Sequence, residues 1–360
     1  MRVVILASSR HPIAEPFAGG LESLTWHLVR GLRRRGVDVS FFAGPGSDPA
    51  LGATALDVEP LRLSHTARSD TSMVPEAWLR EHHAYLQVML ALQRRPDVAV
   101  VHNNSLHHLP VAMADSLPSP VLTTLHTPPT PWLEPAIEIG ARSRNPVRHS
   151  HFVAVSEHTA RSWAHVTPAH VVHNGVDVDQ WVQGPGGDDL VWVGRLVPEK
   201  APHRAIAMAR AAGRRLRLAG PVGDADYFTR HVAGELRDDV EYVGHLGTDE
   251  LVALVGASAA TLVTPEWDEP YGLVAAESLA CGTPVVALDR GGLREFVVPG
   301  VGLLLPRDCD DAAAADAVAA AVDLDRAACR AHAVAACSVD RMVESYLGIY
   351  ESLGAMSGAA

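Results

Sequence analysis

Lysine is nearly missing from this chain: it occurs once, at Lys200, beside 29 arginines. A composition that uses the planar guanidinium everywhere else has kept one compact ammonium, a group of different shape and hydration. An excess of positive charge is also missing. The net charge is −12, and nucleic-acid binding needs a basic footprint, so nucleic acid is excluded as the main partner. Cysteine is scarce: Cys281, Cys309, Cys329 and Cys337 are too few for a disulfide scaffold and lack the close pairing of a zinc site. A reducing cytoplasm is the expected compartment. No apolar run approaches the roughly 20 residues of a membrane-spanning helix. The N-terminal Val3-Val4-Ile5-Leu6-Ala7 resembles a short signal core, but Arg10-His11 interrupts it too soon, so a buried first strand is expected and no strong membrane anchor.

What is present is an alternation of short apolar runs and alanine-rich helical stretches. With 360 residues, 48% of them hydrophobic and 20% charged, two globular domains are expected. The charge is uneven: residues 1–165 balance at +1, whereas residues 166–360 carry −13, so an anionic ligand there needs local cations. Val3–Ala7, Val37–Ala43, Val98–His102, Val121–His126 and Phe152–Ser156 read as buried strands, with a helix over Gly20–Arg35 carrying Leu21, Leu24, Leu28 and Leu32 at helical spacing. A second series begins at Leu190–Val193 and continues through Arg215–Ala219, Glu241–Val243, Ala260–Val263, Pro284–Ala287 and Gly302–Leu305, with a helix at Arg204–Ala212. Between them lie His173-Asn174-Gly175, read as a turn, and the Gly/Pro/Asp-rich Gln183–Asp189, read as a loop near a boundary. This is α/β architecture: two Rossmann-like domains with parallel sheets, which bind ligands outside the carboxyl ends of their strands. The expected boundaries are 1–172 and 173–337, with a last helix, 338–360, bearing Met342, Tyr346 and Tyr350 on one face.

Two segments carry chemistry. Gly194-Arg195-Leu196-Val197-Pro198-Glu199-Lys200 places a guanidinium and the one ammonium between a strand and a helix, as a site gripping a diphosphate requires. Pro265-Glu266-Trp267-Asp268-Glu269-Pro270-Tyr271-Gly272-Leu273-Val274 follows a strand and opens a helix that contains Glu277 and closes at Gly282. Free N–H groups and the positive dipole end at such a helix start suit phosphate oxygens. Glu269 in the turn and Glu277 in the helix need not share a face.

These two segments resemble the retaining glycosyltransferases of family four, which have the GT-B fold. Glu269 and Glu277 look like that family's E-x7-E pair, and Arg195 with Lys200 like its diphosphate clamp. The resemblance extends along the chain: Gly19-Gly20-Leu21-Glu22 is similar to the N-terminal Gly-Gly loop, and Leu125-His126-Thr127-Pro128 to the strand end that presents a site histidine. The last helix resembles the one that crosses back to the first domain. The resemblance implies an interdomain cleft, with the N-terminal half shaping the acceptor pocket and the C-terminal half binding a nucleoside-diphosphate sugar. It implies transfer to a hydroxyl acceptor with retention, UDP as the default carrier, and no metal or other cofactor.

The implied catalytic residues are His126, Glu269, Arg195 and Lys200. The implied donor-binding residues are Gly19, Gly20, Arg195, Lys200, His245, Leu246, Glu269, Tyr271, Gly272, Leu273, Val274 and Glu277, with His245 and Leu246 near the base. Two departures stand out: Glu266-Trp267 replaces the frequent Ser before the first acid, and Ala201 replaces a frequent Gly after Lys200. A nucleotide-sugar epimerase and a non-catalytic nucleotide-sugar-binding protein are the competing readings. Asp224-Ala225-Asp226 has a metal-binding D-x-D form but is short and read as a loop. His102, His107 and His108 lack metal-ligand spacing and read as solvated or core histidines, and Arg33-Arg34-Arg35 reads as a solvated helix end. Asp70–Trp78, the His102–His108 loop and Thr127–Trp132 are expected to line the acceptor pocket.

Overall fold

The structure, a computed structural model, describes residues 1–51, 54–55, 59–72, 74–142 and 150–357. Met73 of the expected acceptor stretch and residues 358–360 of the expected last helix lie outside the described residues.

The first half forms a seven-stranded parallel sheet from β1 (Arg2–Leu6), β2 (Asp38–Phe42), β3 (Thr54–Ala55), β4 (Val100–Asn103), β5 (Val121–Leu125), β6 (Ser150–Ala154) and β7 (His170–Val171), in the order β3-β2-β1-β4-β5-β6-β7. The second forms a six-stranded parallel sheet from β8 (Leu190–Val193), β9 (Leu216–Ala219), β10 (Val240–Gly244), β11 (Ala260–Val263), β12 (Val285–Leu288) and β13 (Gly302–Leu305), in the order β10-β9-β8-β11-β12-β13. Helices cover both faces, which is why Val3, Val4, Ile5 and Leu6 of β1 are all fully buried and read as one apolar run. The strand order reverses between β1 and β4 and again between β8 and β11. These switch points are where a doubly wound sheet opens a crevice.

The last helix, Val339–Ser357, leaves the second half and packs on the first. Met342, Tyr346 and Tyr350 are buried there as expected, against the helix Gly20–Arg34 and its Leu24, Leu28 and Leu32. Tyr350 Oη lies 2.6 Å from Nδ1 of His102, whose Nε2 meets Thr124 Oγ1 at 2.7 Å; Thr124 in turn meets Tyr346 Oη at 3.1 Å. His102 is thus a fully buried bolt between the returning helix and β4 and β5, not a ligand-facing strand end. The outgoing and returning crossovers run side by side, Val176 N donating to Cys337 O and Val339 N to Val176 O. No turn forms at the expected Asn174-Gly175; the segment runs on into Val176, which pairs with Ser338 of the return segment. Arg34 and Arg35 reach Asp177 and Asp340 of these crossovers at 3.9 and 3.2 Å, so they contact the crossover segments as well as solvent.

Burial holds His27, His102, His107 and His126 of the first half neutral: desolvation pushes His27 down to about 4, and the other three down to about 3. Each folded pKa lies below the unfolded value, so the unfolded chain takes up the protons first. Their contribution is intact above about pH 6.5 and is lost as pH falls toward 4. Each group should steepen the loss by up to about 1.4 kcal/mol per pH unit. Thermal melts between pH 7 and 4.5 should show the first half failing early; a flat profile would contradict this.

Candidate active site

The carboxyl ends of β1 and β4 face those of β8 and β11 across a cavity of about 430 Å³. From the first half it is lined by Ser8, Gly19, Gly20, Glu22, His126 and Thr127, and from the second by Arg195, Lys200, Trp267, Glu269 and Gly272–Val274. A smaller chamber of about 160 Å³ shares Gly19, Gly20, Arg195, Lys200, Leu273 and Val274, and adds Phe17, Trp181, His245, Leu246 and Glu277. Tyr271 borders the larger space. The residues expected to be catalytic or donor-binding all line one or the other of these two spaces, which share part of their walls.

Local geometry explains how each side chain is held. β8 ends at Val193 and the chain turns through Gly194 into Arg195. A short 3-10 turn, Pro198–Lys200, then leads to the helix Pro202–Ala211. Ala201, which joins the two, has φ 47° and ψ 55°, the left-handed region, and is fully buried. That conformation accounts for the preference for glycine at this position. Thr264 at the end of β11 fixes the turn, its Oγ1 donating to Ala201 O at 3.0 Å and accepting from Trp192 Nε1 at 3.1 Å. Ala201→Val combines a β-branched left-handed residue with a site that has no spare room, and should cost about 2–3 kcal/mol. Ala201→Gly should stay within about 1 kcal/mol of the parent. Equal melting temperatures for the two variants would refute the argument.

Lys200 Nζ sits 2.5 Å from Glu269 Oε2 and 5.1 Å from the centroid of the Trp267 ring. Trp267 Nε1 donates to the same Glu269 oxygen at 3.1 Å. Ammonium and carboxylate are paired, with 25% and 11% of their side chains exposed. Arg195 is more open and leans on Glu199 at 3.3 Å. Gly272, at φ 102°, begins the helix Leu273–Ala280, and a Cβ there would meet Leu293 Cδ2 at 2.4 Å, so glycine is required by both conformation and space. Across the gap, a Cβ on Gly20 would stand 3.0 Å from Leu273 Cδ1, so the halves nearly touch at this loop.

Charges inside the spaces are set by desolvation. Glu277, half-buried in the smaller chamber, has its carboxyl pushed up to about 7 by burial. Burial likewise raises Glu22, which is 6% exposed. His126 is pushed down to about 3 by burial and stays neutral, its Nε2 donating to Asn104 Oδ1 at 3.0 Å. A neutral imidazole so oriented offers Nδ1 as an acceptor.

Other expectations resolve differently. Tyr271 is buried and stacks on Phe296 at 4.7 Å, so its ring belongs to the core beneath the cavity. His245 is exposed and its Nε2 donates to Phe17 O at 3.2 Å, linking the halves beside the smaller chamber. Asp224 caps the helix Ala225–His231 by accepting from Tyr227 N at 2.9 Å, an ordinary capping use of the D-x-D segment. Among the described residues no group of three His, Cys, Asp or Glu is placed to hold a metal ion, and no helix is long and apolar enough to cross a membrane. Phe17, Asn104, Thr127, Asn174 and Trp181 were not singled out individually as site residues. Asn104 and Asn174 follow strands, the one local signal they had.

Two family descriptions match in succession: Glycosyltransferase Family 4 over residues 18–180 and Glycosyl transferases group 1 over residues 179–334. The glycogen synthase of Mycobacterium tuberculosis is 29% identical over 88% of this chain and 85% of its own length. A D-inositol 3-phosphate glycosyltransferase of Mycolicibacterium paratuberculosis is also 29% identical, over 97% of this chain and 90% of its own. Among solved structures, a glycosyltransferase involved in avilamycin A biosynthesis superposes with a TM-score of 0.70 at 24% identity, covering 98% of both chains. The Anabaena protein HepE, solved with UDP and glucose, superposes with a TM-score of 0.74 at 17% identity, covering 98% of this chain and 99% of that one. The chain belongs to the family 4 glycosyltransferases and has their GT-B fold of two Rossmann-like domains.

Proposed function

We propose that the protein moves a sugar from a UDP-sugar to a hydroxyl of a small-molecule or saccharide acceptor, with retention and without a metal ion, in the cytoplasm. The observation that carries this is the convergence of Arg195, Lys200, Glu269 and the Gly272–Val274 helix start on one cavity opposite Gly19-Gly20. The UDP found with HepE supports uridine as the carrier. On this reading residues 173–337 hold the donor, and residues 1–172 with the returning helix 338–360 shape the acceptor side.

In the transfer, the bond from the anomeric carbon to the diphosphate oxygen breaks and one from that carbon to the acceptor oxygen forms on the same face. The acceptor proton passes to the departing phosphate oxygen, and the nucleoside diphosphate leaves. Negative charge grows on the diphosphate, where Arg195, Lys200 and the free amides of the helix start stabilise it. Lys200 then turns part of its bonding from Glu269 to phosphate, freeing Glu269 to accept from sugar hydroxyls. Neutral His126 holds the donor sugar without adding a competing cation. Glu277 accepts from the ribose in the smaller chamber, beside His245 and Leu246 at the base. The test is a panel of nucleotide sugars scored by thermal shift and by release of nucleoside diphosphate in excess chelator. A melting shift and turnover with one UDP-sugar are expected. No shift with any nucleotide sugar, or turnover that chelator abolishes, would overturn the reading.

A further inference from the structure

Three segments expected to line an acceptor pocket meet on the first half, and their rings join those of His82 and Tyr85, on the helix Glu76–Leu92, in one aromatic cluster outside the cavity. Tyr85 lies against His107 and His107 against His108, both with centroids 4.5 Å apart, and His108 against Trp132 at 6.1 Å. Trp78 closes the group, stacked on His82 at 5.0 Å with planes 12° apart and 6.2 Å from Trp132. We infer that Trp78, His108 and Trp132 form a shelf for the sugar rings of a neutral oligosaccharide acceptor whose reacting end enters the cavity. This rests on the transfer reading above and specifies its acceptor class.

The shelf is rigid and attached to the site. Tyr85, its base, donates to Ala7 O at 2.7 Å and accepts from Ser9 N at 3.1 Å, on either side of the cavity residue Ser8. The loop that carries Trp132 is pinned where Trp163 Nε1 donates to Thr127 O at 2.8 Å, and again where Thr130 Oγ1 accepts from Leu133 N at 3.2 Å. Thr127 itself lines the cavity, and its buried hydroxyl has no partner, so a polar contact is left unused between shelf and cavity. Arg10, also a lining residue, pairs at 3.1 Å with Glu81, on the same helix as Trp78 and His82.

The chemistry selects the ligand. Trp132 is 52% exposed, a large apolar ring held open to solvent. Burial pushes His107 down to about 3 and His108 down as well, so these rings carry no charge at neutral pH. A pyranose presents an apolar C–H face to such rings and its hydroxyls to the Arg10–Glu81 pair and the threonines. A flat aromatic acceptor would leave that polar rim unpaired, and the compensated charges give an anionic acceptor no net attraction.

The test titrates the full chain, with UDP present, with maltotetraose, cellotetraose, xylotetraose and mannotetraose, and with p-nitrophenol, by saturation-transfer NMR. W132A and W78A are measured in parallel, and UDP affinity is measured by calorimetry. At least one tetrasaccharide should bind through its ring C–H protons, about tenfold more weakly in W132A, a change typical of a lost tryptophan anchor. Binding of none of the four, equal binding by both variants, or preference for p-nitrophenol would overturn the shelf. Failure of the parent protein to bind UDP would instead sink the transfer reading, whatever the saccharides do.

Discussion

Lys200→Ala should lower glycosyl transfer by about 10²–10³-fold, the scale of losing one preorganised donor to a developing oxyanion. The magnitude follows from the position of the ammonium, since 25% of its side chain is exposed and it is held by Glu269 and the face of Trp267. A charge so enclosed is screened far less than one in open water. The alanine variant also strips Glu269 of its cation. Lys200→Met, which keeps the stem over Trp267, is therefore the variant that isolates the charge, and both should be equally inactive. Lys200→Arg should recover little, because a planar fork does not occupy the point between carboxylate and indole. Arg195→Ala should cost less, its side chain being 46% exposed. The measurement is kcat with the best donor of the panel, alongside a melting curve. A Lys200→Met protein that turns over at the parental rate would remove the diphosphate clamp from the mechanism.

Nucleotide affinity should rise about tenfold between pH 6 and 8, and Glu277 should be the reason. Its carboxyl is pushed up to about 7 by burial alone. Two ribose hydroxyls need an acceptor-only carboxylate, so binding selects the ionised form and expels a proton. A site with a pKa near 7 is about one-tenth ionised at pH 6 and nine-tenths at pH 8, which sets the factor. Glu277→Gln should flatten the dependence and weaken UDP by about 10–100-fold, the value of one or two hydrogen bonds to a charged group. The stability effect has the opposite sense. The folded pKa lies above the unfolded value, so this group's contribution is fully present below about pH 4.5 and is lost as pH rises through about 7. Glu277→Gln should therefore raise the melting temperature at pH 8 and leave it nearly unchanged at pH 4.5. Calorimetry with UDP in buffers of different ionisation enthalpy reads the proton directly. A pH-independent Kd in the parent would be incompatible with a ribose role for this residue.

Much of the site was legible because its parts are local. Gly272, the apolar run of β1 and the cations at 195 and 200 each sit in a short stretch whose spacing states what the backbone must do there. Strand ends were displaced by a residue or two, as at β4 and β6, because the apolar pattern continues past the last ladder bond. The helices at Glu76–Leu92, Leu133–Ala141 and Glu157–Trp163 went unread, their apolar faces being mixed with His, Glu and Trp whose partners lie elsewhere. His102 read two ways, as a solvated or core histidine and as part of the loop lining the acceptor pocket. As a polar residue at a strand end it resembled a site residue, yet Tyr350, 248 positions away, makes it part of the core.

The sequence by itself determined two parallel sheets and the glycines, acids and cations at the ends of their strands, since these follow from backbone conformation and short-range pattern; the strand orders and switch points came from the structure. Only the tertiary structure decided that Lys200 rests on Glu269, 69 residues away, that Glu277 hovers near neutrality, and that Trp78 and Trp132 share one surface. Those properties belong to pairs and to desolvation. They come into being when distant segments exclude water from the same place.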